Sequence, residues 1–426
     1  MEVAEICWIG LWPVTFKKTV LLARLGLTVF TFRHLGSVVV QVPNFEDIKL
    51  VAKNAGLDDL SVAGVEPLTE ARIAIEDRKN RGLHAGMHFT YGNPERATDP
   101  SQLFEGARSV LVALRSYKAP SVGHFEVWNA ETGVAGGGPK GLVASYVCSD
   151  EYGMLRQGLR AVASYLESFG ARAEVVMDDN RLADRAIAAK AGLGWLGRNT
   201  MLLHPELGSW TVIGSVVTDM SLNEEPEKLS DGCGTCRRCS VDCPTGAIDE
   251  FGVLDANRCL AWLLQAKGIF PRQYRAALGS RLYGCDDCQV LCPVNDTAID
   301  GARTAVPRES TVDIIALLDS SDEELMDQYG HWYIPRRRPE YLRRNALVVL
   351  GNSQSEDDPE VERVLANCLA SPQPLVRSHA IWAALRLGMR YLIGPDEVTS
   401  MTEGDEDGLV RAELDEWGIL ADPVSS

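Results

Sequence analysis

Apolar and polar positions follow no amphipathic period through residues 1–45, and the first regular element begins near Ile48. There Ile48-Lys-Leu-Val51-Ala-Lys-Asn-Ala55-Gly56 places apolar residues at helical spacing and stops on a glycine C-cap. A short strand, Leu60-Ser-Val62-Ala-Gly64, follows. Further strands read at 107–114, 173–177 and 209–217, with helices at 150–170 and 182–191. Strands alternating with helices predict an α/β fold, an N-terminal α/β sandwich over residues 46–228, with 1–45 as a peripheral extension.

From about 312 the period becomes helical throughout. The segments 341–351 and 375–388 share a texture of arginine, alanine, leucine and a closing glycine, with 360–369 between them, as a HEAT-type repeat would. Residues 312–395 are therefore read as a HEAT-like helical domain, with Cys368 in its core.

Charge refines this picture. The chain of 426 residues carries a formal −17, but ten acids stand against one base between Asp396 and Asp422, so 396–426 reads as an acidic tail. The opposite sign collects in His331-Trp-Tyr-Ile-Pro-Arg336-Arg337-Arg338-Pro-Glu-Tyr341-Leu-Arg343-Arg344, a candidate surface for phosphate and base stacking, or alternatively a solvated helix start. Lys17, Lys18, Arg24 and Arg33 interrupt the most apolar stretch, which predicts no membrane span. The acidic start Met1-Glu-Val-Ala-Glu5 is unlike a secretory signal, so a cytoplasmic protein is expected.

The segment 229–311 holds eight of the eleven cysteines. They fall in Cys233-GT-Cys236-RR-Cys239-SVD-Cys243-Pro244 and Cys285-DD-Cys288-QVL-Cys292-Pro293, with Cys259 between. The bacterial ferredoxin run sends three cysteines to one [4Fe–4S] cluster and the fourth to the other. That rule assigns Cys233, Cys236, Cys239 and Cys292 to a first cluster, and Cys243, Cys259, Cys285 and Cys288 to a second. Paired zinc sites would not use the prolines or the third C-x₂-C step, and disulfides would need an oxidising compartment.

One more stretch carries chemistry. Asp178-Asp179 ends a strand, Asp184-Arg185 opens a helix, and Lys190-Ala-Gly192-Leu-Gly194-Trp195-Leu-Gly197-Arg198-Asn199-Thr200-Met-Leu202-Leu203 is a glycine-rich turn, followed by Gly208-Ser-Trp210. An acid above a turn that brings backbone close to a large group describes a cofactor floor. Asp179 can cap the next helix, which leaves Asp178 free.

This run resembles the epoxyqueuosine reductases, as do Tyr283-Gly-Cys285, Cys292-Pro-Val-Asn295, Arg344-Asn345-Ala346 and Gly351-Asn352, over about residues 48–390. The resemblance implies a cobalamin-dependent iron–sulfur oxidoreductase that reduces the epoxide of epoxyqueuosine in tRNA. It implies Asp178 as the proton donor, and Arg96, Tyr146, Cys148, Asp178, Lys190, Asn199, Thr200 and Leu202 around the cobalamin. Arg336, Arg337, Arg338, Arg343 and Arg344 would hold the anticodon stem-loop, a flavodoxin or ferredoxin would donate electrons, and the protein would act as a monomer. The sequence departs from the family at Glu151-Tyr152-Gly153, after Cys259, where no glutamate occurs, and in an insertion at 118–142. A corrinoid reductase of a small molecule, akin to reductive dehalogenases, and an iron–sulfur electron carrier are the alternatives.

Overall fold

The computed structural model describes residues 43–118, 138–222, 227–296, 310–353 and 357–420. The expected extension lies outside them save for its last three residues, as does most of the 118–142 insertion.

The first elements are α1 (Phe45–Asn54), β1 (Asp59–Gly64), α2 (Thr69–Asn80), β2 (Ser109–Ser116), β3 (Lys140–Val143), α3 (Glu151–Glu167), β4 (Ala173–Val176), α4 (Asp184–Lys190), β5 (Trp195–Leu196), β6 (Leu202–Leu203) and β7 (Thr211–Thr218). The main sheet has the order β1-β2-β7-β4, and each neighbouring pair is antiparallel. Strands β2 and β4 therefore run parallel, joined by the crossover helix α3, and β7 is inserted between them as in a split βαβ unit. Alternation of strands and helices predicts the crossover but carries no trace of the inserted strand.

Every residue of β2 is buried, because both faces of the sheet are covered. Val110, Val112 and Leu114 pack with Leu182, Ile187 and Ala188 on the α4 side. On the other face Leu155 and Leu159 of α3 come so close to Gly214 of β7 that a Cβ there would lie 2.5 Å from Leu159.

Arg115 at the end of β2 is buried and donates to Glu151 Oε2 at 2.7 Å and to the Gly56 carbonyl at 2.7 Å. Glu151 also opens α3, where the helix dipole favours an acid. Removing one partner of such a buried pair costs about 3–5 kcal/mol. Gly153 is set by the same helix start: Asp150 caps it by accepting the Gly153 N–H at 2.8 Å, and a Cβ on residue 153 would collide with that carboxyl. The departures at Glu151 and Gly153 thus build the helix terminus.

The later elements are α5 (Leu260–Gln265), α6 (Arg272–Leu278), β8 (Arg281–Tyr283), β9 (Thr311–Asp313), α7 (Ile314–Asp319), α8 (Asp322–Tyr329), α9 (Glu340–Gly351), α10 (Pro359–Leu369), α11 (Pro374–Arg386), α12 (Pro395–Met401) and α13 (Leu409–Glu416). A second sheet, β8-β3-β9, takes its central strand from the N-terminal region. One apolar core then runs from Val143 through Leu264, Phe270 and Leu282 into Leu347, Val364, Trp382 and Leu414. The cysteine region and the helical region share that core instead of forming separate domains. Among the described residues no helix is long and apolar enough to cross a membrane.

The acidic segment is not a free tail, since α12 and α13 pack on the preceding helices. Buried Asp405 accepts the Val410 and Arg411 N–H groups at 3.1 and 3.0 Å, which caps α13. Glu413 accepts from Arg275 at 2.9 Å, from Arg272 and from the Trp417 indole at 3.1 Å. Two of its acids, Asp405 and Glu413, thus hold helices, while Asp396, Glu397, Glu403, Glu406, Asp407, Asp415 and Glu416 are exposed.

Candidate active site

The carboxyl ends of the parallel strands β2 and β4 open onto one crevice, the usual position for a ligand in such sheets. Tyr117 follows β2 and donates its N–H to the Trp210 carbonyl at 2.8 Å, while Asp178 follows β4. Asp178 is held at φ 46°, in the left-handed region that L residues rarely adopt. Asp179 accepts the Arg181 N–H at 2.9 Å and pairs with its guanidinium at 2.8 Å. Asp179 therefore does not cap α4, whose N-cap Ala183 makes no side-chain bond, and among the described residues Asp178 has no such ion pair.

Protein mass around the crevice desolvates Asp178 and raises its carboxyl pKa, with Arg156 opposing and Asp179 adding to the rise. Its side chain nevertheless reaches solvent, so the group is both accessible and reluctant to ionise. Six residues on, burial raises Asp184 further, and the Asp178 charge adds to it. Asp184 Oδ1 is buried with no hydrogen-bond partner. Tyr152, 38% exposed on the first turn of α3, has its phenol pKa raised by burial and then by Asp178 and Asp184. It remains a neutral donor facing two acids.

The structure brings the cysteines expected for the first cluster together. Cys233, Cys236, Cys239 and Cys292 line one cavity together with Arg198, Asn199, Leu203, Arg238 and Pro293. Cys239 is pushed up to about 11 by burial, then by Cys292, Cys233 and Cys236. In the other set, burial raises Cys285 and Cys288 well above the ordinary thiol value, and Cys259 and Cys243 add to the rise at Cys288. Among the described residues no three ligating side chains converge on a single ion. Protonated thiols mean that cluster assembly must release protons.

The two sets adjoin each other and the crevice. Asn199 donates to the Cys288 carbonyl at 3.1 Å while lining the first cavity. Arg185, beside Asp184, donates to the Thr200 carbonyl at 2.7 Å and lies near enough to Cys259 to lower its pKa against burial. Cys259 of the second set therefore lies near the helix start that carries Asp184 and Arg185.

The remaining expected cobalamin contacts separate into three groups. Arg96 is exposed and its charge reaches Asp179, so it belongs to the crevice rim. Tyr146 is held by Gln265 at 2.9 Å and its phenol is influenced by Tyr152, while Thr200, at φ 65°, and Asn199 form the turn of the β5-β6 hairpin. Cys148 faces elsewhere, into a cleft of about 360 Å³ with Tyr329, His331 and Trp332. The Leu202 side chain is in the core.

Lys190 is not at the site. It ends α4 and donates to Gly64 O at 3.1 Å, Glu66 O at 2.9 Å and Glu66 Oε2 at 2.7 Å, and Gly64 lies at the opposite end of the sheet from Asp178. Arg344 is likewise misassigned by its sequence: fully buried, it donates to the carbonyls of Leu263, Leu264, Ala266 and Gly268, which leaves nothing for a phosphate. Arg343 is nearly buried and held by Asp322 and by the Ser320 carbonyl. Arg336, Arg337 and Arg338 are exposed, the first two at φ 51° and 52°. Sequence reasoning passed over Tyr152 and Arg156, although their i, i+4 spacing behind the Asp150 cap puts both on one helix face.

The residues around this crevice offer polar and backbone groups suited to a bound cofactor. An acid atom is orphaned in its wall, two accessible but desolvated groups face it, and a hairpin turn carries backbone to its floor.

Residues 232–295 match the 4Fe-4S double cluster binding domain family. An epoxyqueuosine reductase of Pseudomonas aeruginosa is 32% identical over 354 residues, covering 80% of this chain and 94% of that protein. The Staphylococcus aureus enzyme is 31% identical over 349 residues, covering 79% and 87%. Among solved structures, epoxyqueuosine reductase with a tRNA-Tyr epoxyqueuosine-modified stem loop superposes at TM-score 0.76 with 26% identity, covering 88% of this chain and 97% of that one. The Bacillus subtilis enzyme with the aspartate of its catalytic loop swung out of the active site matches at TM-score 0.76, with 26% identity, covering 88% and 98%. By the extent of these matches, the chain belongs to the epoxyqueuosine reductase family.

Proposed function

We propose that this oxidoreductase reduces the epoxide of epoxyqueuosine in a tRNA anticodon stem-loop, giving queuosine. The reaction adds two electrons and two protons, breaks both carbon–oxygen bonds of the epoxide, forms an alkene and releases water. One observation carries the reading: a desolvated acid on a left-handed turn acts on Asp184, whose neighbour Arg185 reaches Cys259 of the second cysteine set.

The eight cysteines would hold two [4Fe–4S] clusters, which supply single electrons. Arg96, Tyr146, Asn199 and Thr200 would hold the cobalamin, which supplies a strongly reducing cobalt when bound. Asp178, protonated because desolvation raises its pKa, delivers a proton to the departing oxygen. Asp184 keeps the neighbouring charge low in its own protonated form, and Tyr152 offers a phenolic hydrogen bond. Helices α9 to α11 would act as HEAT-like repeats, with Arg336, Arg337 and Arg338 set against the stem-loop phosphates. Such a protein works in the cytoplasm as a monomer, fed by a reduced flavodoxin or ferredoxin.

Anaerobic purification with iron and cobalt analysis, then incubation with epoxyqueuosine-containing tRNA and nucleoside mass spectrometry, tests this. Queuosine should appear with wild type and vanish with Asp178→Ala while cobalt is retained. A loaded enzyme that leaves the epoxide intact would return the small-molecule alternative to first place.

A further inference from the structure

We propose that the surface around the first cysteine set is the docking face for an acidic electron-carrier protein. The proposal rests on the redox reading above. Electrons must enter where a cluster nears the surface, and the two sets differ in this. The backbone around Cys285 and Cys288 is enclosed, with Gly284, Asp286, Asp287 and Gln289 buried, whereas Cys233, Cys236 and Cys239 sit on a surface loop whose Gly234, Thr235, Arg237 and Arg238 are exposed, and on a single helical turn, Arg238–Val241.

That loop is edged by apolar groups a solitary surface would hide. Val241 is 76% exposed and Phe251 52% exposed. The Arg198 guanidinium lies over the Phe251 ring and donates to the Gly234 carbonyl, so Phe251 is joined to the cysteine loop. A small apolar centre with a charged rim is the usual form of a transient redox interface.

The rim is cationic in a chain that is otherwise strongly acidic. Arg237 and Arg238 are exposed, and among the described residues neither pairs with a carboxylate. Nearby acids are largely engaged: Asp231 accepts the Cys233 N–H at 2.8 Å, Glu250 pairs with Arg81, and Asp249 lies 3.8 Å from Arg258. Among the described residues, Asp231 and Asp242 keep charges without an ion pair beside Arg198, Arg237 and Arg238, so the local balance is cationic by a small margin. Against a net −17, an acidic partner is repelled at most approaches and attracted here, which orients its cofactor toward Cys233 and Cys236.

The test uses the anaerobically purified chain with both clusters assembled, and it follows cluster bleaching in a stopped flow. The reductant is reduced flavodoxin in one arm and dithionite in the other. Arg237→Glu should lower the second-order rate constant with flavodoxin about tenfold and flatten its dependence on salt, with the dithionite rate unchanged. Val241→Glu should slow the flavodoxin arm in the same sense. Unchanged flavodoxin rates in both variants would overturn the proposal, and so would a weaker grip on the stem-loop in place of slower reduction, which would make this an RNA face. Because bleaching needs no RNA, failure of epoxide reduction is read separately.

Discussion

The two ends of α4 carry side chains that look alike in sequence and differ in every physical respect. Lys190 has three acceptors within 3.1 Å and closes a gap between α4 and the end of β1. Asp184 keeps a buried oxygen with no partner, next to an acid on a strained turn. A charge that the fold satisfies belongs to the fold. One left unsatisfied has been held there at a cost of about 1–3 kcal/mol, which stability alone does not explain.

The widest separation should come from Asp178→Asn, which keeps shape and removes the proton. Turnover should fall about 10²–10⁴-fold with thermal stability unchanged, measured by single-turnover nucleoside analysis and calorimetry. A loss below tenfold would place the acid elsewhere.

On the satisfied side, Arg344→Ala strands four backbone carbonyls of α5 and its following turn. Unfolding free energy should drop by about 3 kcal/mol or more in urea titration, and retained stability would undo its structural role.

Asp184→Asn should move stability in a pH-dependent way. The folded carboxyl has a raised pKa, so the native state holds its proton longer than the unfolded chain does, and wild-type stability falls as pH rises from the ordinary carboxyl range toward the raised value. The asparagine variant escapes that loss. Its melting temperature relative to wild type should therefore climb as pH rises above the ordinary carboxyl range. A flat difference would show that Asp184 is ionised in the fold.

The smallest effect belongs to Lys190→Ala. Its partner carboxyl is largely exposed, so about 0.5 kcal/mol should be lost and cobalamin retention should not change. Cobalt loss in this variant would bring Lys190 back to the crevice.

What the sequence made readable followed from local chemistry. The C-x₂-C steps predict how the cysteines divide because a cubane fixes its ligands by spacing, whereas the expectation that Asp179 caps the next helix fails: Ala183 stands at the N-cap of α4 without a side-chain bond, and Asp179 holds Arg181 instead. Lys190 misled because a seven-residue helix spans roughly 10 Å, enough to carry one end of a motif out of the site. Arg344 misled because composition cannot distinguish a solvated guanidinium from one folded onto carbonyls. The Arg344-Asn345 pair is a staple: Asn345 also donates to Leu264 O at 3.0 Å and Leu282 O at 3.2 Å, tying α9 to the strand ahead of Cys285. The insertion of β7 between β2 and β4 left no local signal, since pairing order is decided by elements far apart in the chain.

Strand β3 has an implication for anyone who would rebuild this protein. Residues 140–143 lie well before Cys233, where the cysteine runs begin, yet they form the middle of the sheet that carries Tyr283 on one side and Thr311 on the other. The iron–sulfur portion therefore cannot be excised as one uninterrupted cassette, and a chimera that exchanged only 229–311 would leave two edges without their shared neighbour. Transplanting this electron-delivery unit onto another scaffold requires moving the 140s along with it.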